Sequence, residues 1–303
     1  MNQKITVERP TSVFSGIGAL FISILLLQVG NGLQRILLPL RAESEGISAG
    51  MMGLVMTFHF AGYFFGARFI IGAINAVGHI RVFAALASTA SIAVLINAVF
   101  VVPASWMVVY FISGICNAGI FVVLESWLNA KASNEVRGKV LGTYMMIMMG
   151  GTAAGFLLIN LGDSSGFRMF IFSSVLISSA VIPVALTSTS APPLQEEEER
   201  MKIGELFNII PAAVVGLFLA SFVQASTSSM GTVFGTEAGM STGKVALFTA
   251  VGFVGAVVLQ FPLGALSDRL PRRSVIIGAT VVAGVVALLG ALTPTTGSWI
   301  IVI

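Results

Sequence analysis

The chain has 303 residues, 56% apolar and only 10% charged, with a formal net charge of +3 and a mean hydropathy of +0.98. Soluble domains carry about 25% charged residues, so this surface is not built to face water; a cytosolic enzyme, a secreted scaffold and a nucleic-acid module are excluded. The single Cys116 leaves no intrachain disulfide framework and no cysteine metal cluster.

A helix that crosses a bilayer needs about 20 mostly apolar residues. Nine such runs follow one another, at 14–39, 49–71, 82–102, 105–128, 139–161, 167–187, 206–233, 244–264 and 274–292. A tenth opens at Ser298 and holds Trp299, Ile300, Ile301, Val302 and Ile303, so the chain stops inside an apolar run and reads as truncated. The first run is too long for a signal-peptide core and lacks a small-residue cleavage pattern, which predicts a retained helix. The expected class is an all-α polytopic membrane protein.

Lys and Arg in short loops set orientation. One face collects Lys4, Arg9, Arg68, Arg81, Lys131, Arg137, Lys139, Arg200, Lys202, Arg269, Arg272 and Arg273, against Arg35, Arg41, Arg168 and Lys244 on the other. Twelve against four predicts a cytoplasmic N-terminus in the plasma (inner) membrane. The loop 188–205, with its acidic run Glu196–Glu199, reads as a solvated linker that separates six spans from the rest.

An internal repeat is written in the spacing. Gly46-Ile47-Ser48-Ala49-Gly50 precedes span two, and Gly239-Met240-Ser241-Thr242-Gly243 precedes span eight, 193 residues on. Gly72-Ala73-Ile74 and Gly264-Ala265-Leu266 end those spans, at an offset of 192. Ser105-Trp106-Met107-Val108-Val109 and Ser298-Trp299-Ile300-Ile301-Val302 open spans four and ten, again 193 apart. The chain therefore reads as two parallel six-helix units, the second incomplete, an architecture that transporters use. The domains predicted are 1–187, a linker at 188–205, and a partial second half at 206–303.

Gly264, Leu266, Asp268, Arg269, Arg272 and Arg273 resemble the signature between spans eight and nine of the major facilitator superfamily, departing at Pro271, where a glycine is usual. The first-half copy is worn: Gly72, Gly78, His79 and Arg81 remain, without the Asp and its Arg. Asn134-Glu135-Val136-Arg137-Gly138-Lys139-Val140-Leu141-Gly142 resembles the loop entering span five. Glu125-Ser126-Trp127-Leu128-Asn129, with Gly78-His79-Ile80-Arg81, is similar to the YcaD-like bacterial branch. The resemblance implies a central cavity between two halves, alternating access by rocking, and a cytoplasmic gate at Gly264, Asp268, Arg269, Arg272 and Arg273. In that gate Asp268 would meet the start of span five, near Arg137 and Gly138.

Polar groups at membrane depth are the remaining candidates, because they are tolerated where they face a cavity or another helix. Gln28, Asn31 and Gln34 in span one and Gln224 in span seven, beside Ser226–Ser229, are assigned to a substrate cavity. His59 and Tyr63 lie four residues apart on one face of span two, and Asn117 and Tyr144 are weaker members of the same set. The alternative for each is hydrogen bonding between helices. Glu125 is either a proton-coupling carboxylate or half of an ion pair with Arg137, Lys131 or the basic loop after span eight. Arg35 either reaches the outer surface or joins the cavity; apart from His59 and Arg35 the cavity set is uncharged and leans away from a highly charged solute. Gly62 with Gly66, and Gly151 with Gly155, suit close helix packing.

The reading is a monomeric secondary active transporter, not an enzyme. It moves a small-molecule solute across the lipid bilayer, with protons as the candidate coupling ion, no cofactor, no metal and no nucleic acid. The alternative is a non-transporting member of the same fold: a sensor, a regulatory partner or an inactive fragment.

Overall fold

A computed structural model describes residues 10–133, 135–163, 166–186 and 203–292. Among them every regular element is helical, and nine helices are long and apolar enough to cross a membrane. In chain order these are α1 (Pro10–Ser44), α2 (Ala49–Val77), α3 (His79–Val99), α4 (Pro103–Lys131), α5 (Arg137–Leu157) with a 3₁₀ turn at Leu158–Leu161, α6 (Phe167–Ser179) continued by α7 (Val181–Ala185), then α8 (Ile203–Ile209), α9 (Pro211–Glu237), α10 (Thr242–Arg269) and α11 (Arg272–Leu292). The linker's acidic run and the apolar run at Ser298 lie outside the described residues.

Local chemistry explains where the helices depart from the apolar runs. Span seven was expected from residue 206, but the chain breaks at Ile210, which has a non-helical φ of −138° and ψ of 61°, because the following Pro211 disfavours the helical conformation there. A short α8 precedes the break, and Pro211 opens α9, where its missing N–H costs nothing. Span six divides at Ala180 because Pro183 has no N–H to give the Ser179 carbonyl. Spans two and three were expected to be separated by a loop at residues 72–81; instead α2 continues to Val77 and Gly78 alone joins it to α3. Gly78 has a φ of +87°, a backbone that favours glycine.

The repeat reappears as backbone geometry. At the end of α1, Ile47 N–H donates to Ala42 O (2.8 Å) and Gly46 N–H to Glu43 O (3.0 Å). At the end of α9, Met240 N–H donates to Gly235 O (3.0 Å) and Gly239 N–H to Thr236 O (2.9 Å). Both are Schellman caps. Their glycines share a φ of +71°, and Ser48 and Ser241 follow as N-caps of α2 and α10 with near-identical dihedrals. Every pair is 193 residues apart, the offset read from the sequence.

The first six spans pack densely. The most extensive contacts are α2 on α4, α1 on α5, α3 on α4 and α1 on α6. Small residues allow the closest approaches: Gly62 and Gly66 lie against the backbone at Phe111 and Ile115, and Gly114 faces the backbone of His59 and Tyr63. Gly155 meets the α1 backbone at Val29 and Leu33, while Gly32 meets Thr152 in return. Trp106, Trp127, Tyr144, Phe83, Phe156 and Phe170 fill the interior. Trp106 Nε1 donates to the Asn97 carbonyl at 3.1 Å, which ties the start of α4 to the end of α3.

The later spans attach at one end only. Buried residues on α9 are Thr232, Val233, Gly235 and Thr236, next to its Glu237 end. Those on α10 are Val245, Ala246 and Ala250, next to its Thr242 start. There Phe253 packs edge-on to Phe156, with ring centroids 5.4 Å apart. Beyond that zone α10 leaves α5, and its Arg269 end is exposed.

Candidate functional site

A cavity of about 80 Å³ opens where α1, α2, α4 and α9 converge. Its walls are Asn31, Gln34 and Arg35 from α1, His59 with Met56 and Phe60 from α2, Tyr110, Ser113 and Asn117 from α4, and Ser228 and Ser229 from α9. At 1.5 Å rise per residue, Asn117 and Asn31 sit close to the midpoints of their spans, whereas His59, Ser113 and Ser228 lie roughly 6 Å to one side. That side carries Ser44, Ala49, Pro103 and Glu237, so the cavity occupies a single level just past mid-depth.

A ladder of amides forms its floor. Gln28 Nε2 donates to Thr152 Oγ1 at 3.5 Å, and Asn31 Nδ2 donates to Gln28 Oε1 and to Asn117 Oδ1, both at 3.3 Å. Thr152 in turn donates to Met148 O at 2.8 Å. The chain of bonds links α5, α1 and α4 at one depth. Gln28, Asn31 and Asn117 are therefore linked by hydrogen bonds, and Asn31 and Asn117 also line the cavity. Gln34 joins them in the wall. His59 stands edge-on to Tyr110, with centroids 5.7 Å apart, and its Nδ1 is buried with no hydrogen-bond partner. Ser113 is 4% exposed, and its Oγ also has no partner.

Other candidates lie elsewhere. Gln224 is exposed and borders a separate, mainly apolar cavity of about 200 Å³ among α5, α9 and α10, lined also by Met149, Phe156, Phe248 and Phe253. Tyr63 tilts against Phe121 at 6.1 Å, one turn below His59. Tyr144 is buried and donates its hydroxyl to Glu125 Oε1 at 3.3 Å. Glu125 is thus held by a phenol; among the described residues it forms no ion pair with Arg137 or Lys131. The gate residues Gly264, Asp268, Arg269, Arg272 and Arg273 lie at or beside the α10–α11 turn, exposed and apart from the exposed Arg137.

Arg35, for which surface and cavity stood as alternatives, is half-buried and lines the cavity beside Tyr110 and His59. Its place near the end of an apolar run left the choice open, because run length says nothing of which way a residue faces. Tyr110 and Ser113 were missed: both fall inside span four, among residues indistinguishable by composition from packing. The signal available was their spacing, since Tyr110, Ser113 and Asn117 follow i, i+3, i+7 along one helix face. The two stretches that resemble the YcaD-like branch also meet. His79 Nε2 lies 3.1 Å from Ser126 Oγ, and its ring tilts against Trp127 at 6.2 Å. Among the described residues no group of three His, Cys, Asp or Glu could hold a metal.

Comparison with known proteins agrees with this geometry. Residues 20–303 match the family model of the Major Facilitator Superfamily. An uncharacterized MFS-type transporter YcaD of Escherichia fergusonii is 24% identical over 262 residues, covering 85% of this chain and 68% of the relative. An uncharacterized MFS-type transporter, Ent638_1421 of an Enterobacter species, is 26% identical over 276 residues, covering 89% and 72%. Among solved structures, a D-xylose-proton symporter superposes with a TM-score of 0.69 at 14% identity, over 95% of this chain and 77% of that one. The nucleoside transporter NupG gives 0.62 at 12% identity, over 83% and 68%. At such identities the structural matches establish the fold.

Proposed function

The chain belongs to the Major Facilitator Superfamily, in its YcaD-like bacterial branch, and on that premise we propose that it carries a small polar solute across the plasma membrane by alternating access. It is a multi-pass membrane transporter of the secondary type and not an enzyme. The observation that carries the mechanism is the placement of the polar cavity. It lies near mid-depth between the two repeats, and among the described residues the buried positions of α9 and α10 lie on its Glu237 side.

With the N-terminus in the cytoplasm, as the Lys and Arg bias supports, that contact closes the outer end and the inner end is parted. This is an inward-facing arrangement. In it Asp268 and Arg137 are apart, as a gate that forms only in the outward-facing state requires. Rocking of α9 and α10 about their outer contacts would close the inner ends, bring Asp268 to the start of α5 and expose the cavity to the other side. Protons are the coupling ion we favour, with Glu125 and Tyr144 on the inner route; the D-xylose-proton symporter, of the same fold, is named for such coupling. The protein acts as a monomer in this scheme, because the cavity is built within one chain.

Reconstitution into proteoliposomes tests this. A pH gradient should drive solute-dependent charge movement on a solid-supported membrane, and an uncoupler should abolish it. A sensor or regulatory partner of the same fold would bind solute without any translocation.

A further inference from the structure

Resting on the transport reading, we propose that the solute is a small organic anion whose carboxylate is bound by Arg35, with the amides and hydroxyls around it holding the polar remainder. Arg35 sits roughly 7 Å past the midpoint of its span, with its side chain in the cavity wall. A cation at membrane depth is costly and is normally paired with a counter-charge or with backbone carbonyls. None of the residues lining the cavity is acidic. Among the described acids, Glu43, Glu45 and Glu237 lie at or beside the outer helix ends and Glu125, Glu135, Glu205 and Asp268 toward the inner ends, while Asp163 follows the 3₁₀ turn. On the same helix Arg41 pairs with Glu45, a turn or more beyond Arg35. The protein thus supplies the positive charge and leaves the negative one to come from the solution.

The rest of the wall suits an anion with polar substituents. Ser113 Oγ and His59 Nδ1 are buried and unpartnered, and desolvated polar atoms of this kind are costly until something bonds to them. Gln34, Asn117, Ser228 and Ser229 add neutral donors and acceptors. A guanidinium presents a planar fork that matches a carboxylate, which a lysine does not. The cavity volume, about 80 Å³, far exceeds the ~10–15 Å³ of such space a single water needs, so a charged head group fits.

The test is equilibrium binding to the purified protein in nanodiscs. The probes are lactate, glycerate and gluconate, each paired with a neutral counterpart: lactamide, glycerol and glucitol. At least one carboxylate should bind saturably and its neutral partner at least tenfold more weakly. Arg35→Gln should lose that preference by tenfold or more, whereas Arg35→Lys should keep part of it; both should retain the wild-type melting profile in the absence of ligand. The proposal is overturned if no carboxylate binds, if neutral partners bind equally well, or if Arg35→Gln weakens both members of a pair alike. The two readings separate cleanly. Carboxylate binding without flux in proteoliposomes would overturn transport and leave the anion site standing, and flux confined to neutral solutes would do the reverse.

Discussion

Replacing Gly62 by alanine perturbs the crossing on which the cavity wall depends. A Cβ there would lie 2.8 Å from the Phe111 carbonyl carbon and 3.0 Å from its Cα, with the carbonyl oxygen closer still. Ordinary contact begins at 3.4 Å, so the carbonyl carbon alone requires α2 and α4 to part by about 0.6 Å, the difference between 3.4 and 2.8 Å, and the oxygen requires more, because backbone cannot swing aside as a side chain does. Overpacking of this kind costs about 1–3 kcal/mol. At roughly 2–4 °C per kcal/mol for a chain of a few hundred residues, the midpoint should fall by roughly 2–12 °C. Gly114 faces the same gap from α4, where a Cβ would be 2.8 Å from Tyr63 N. The double variant Gly62→Ala with Gly114→Ala should therefore cost less than the two singles added, since helices parted once make room for both methyls. Gly53→Ala is the control: it lies on the same helix, and its Cβ would meet nothing within 4 Å. Thermal unfolding in detergent, followed by tryptophan fluorescence, reads all four proteins. Equal midpoints for Gly62→Ala and Gly53→Ala would refute the close-packing argument.

Three further outcomes are expected. Asp268→Asn should weaken the outward-facing state, raising the labelling of a cavity cysteine from the inner side and slowing flux; unchanged labelling and unchanged flux together would remove Asp268 from the gate. Glu125→Gln should abolish uptake driven by a pH gradient while sparing solute exchange. A double-mutant cycle with Tyr144→Phe should return a coupling of about 0.5–1.5 kcal/mol for their hydrogen bond, and zero coupling would mean that the bond contributes nothing.

The spans, the repeat and the glycine contacts were legible in the sequence because each is a pattern along one helix. Gly62 and Gly66 fall four residues apart and so present one face, and that face is where α4 lies. The amide ladder was half legible: Gln28, Asn31 and Asn117 stood out as polar groups at depth, but their partners depend on how α1, α4 and α5 are rotated against one another. Arg35 stayed undecided for the same reason, since a basic residue near a helix end reaches the surface or turns inward according to what its neighbours leave open. His79 and Ser126 are 47 residues apart; motif resemblance picked out both stretches, and only the packing of α3 on α4 shows why they go together. The contact of Glu125 with Tyr144 in place of an arginine likewise follows from tertiary packing alone.

The paired Schellman caps bear on how the chain enters the membrane in the first place. In the proposed orientation, α1 with α2 and α9 with α10 are helical hairpins whose turns must be carried across the bilayer during synthesis. Each turn is only a few residues long, and its glycine cap satisfies helix-end carbonyls without help from water. At the first turn Arg41 and Glu45 are joined at 2.7 Å, so two of its charges travel as a neutral pair. A hairpin that turns on local bonds can insert as one unit before any later span exists. That gives each half of the protein its own starting point for biogenesis, and it ties the duplication to an element able to fold without the rest.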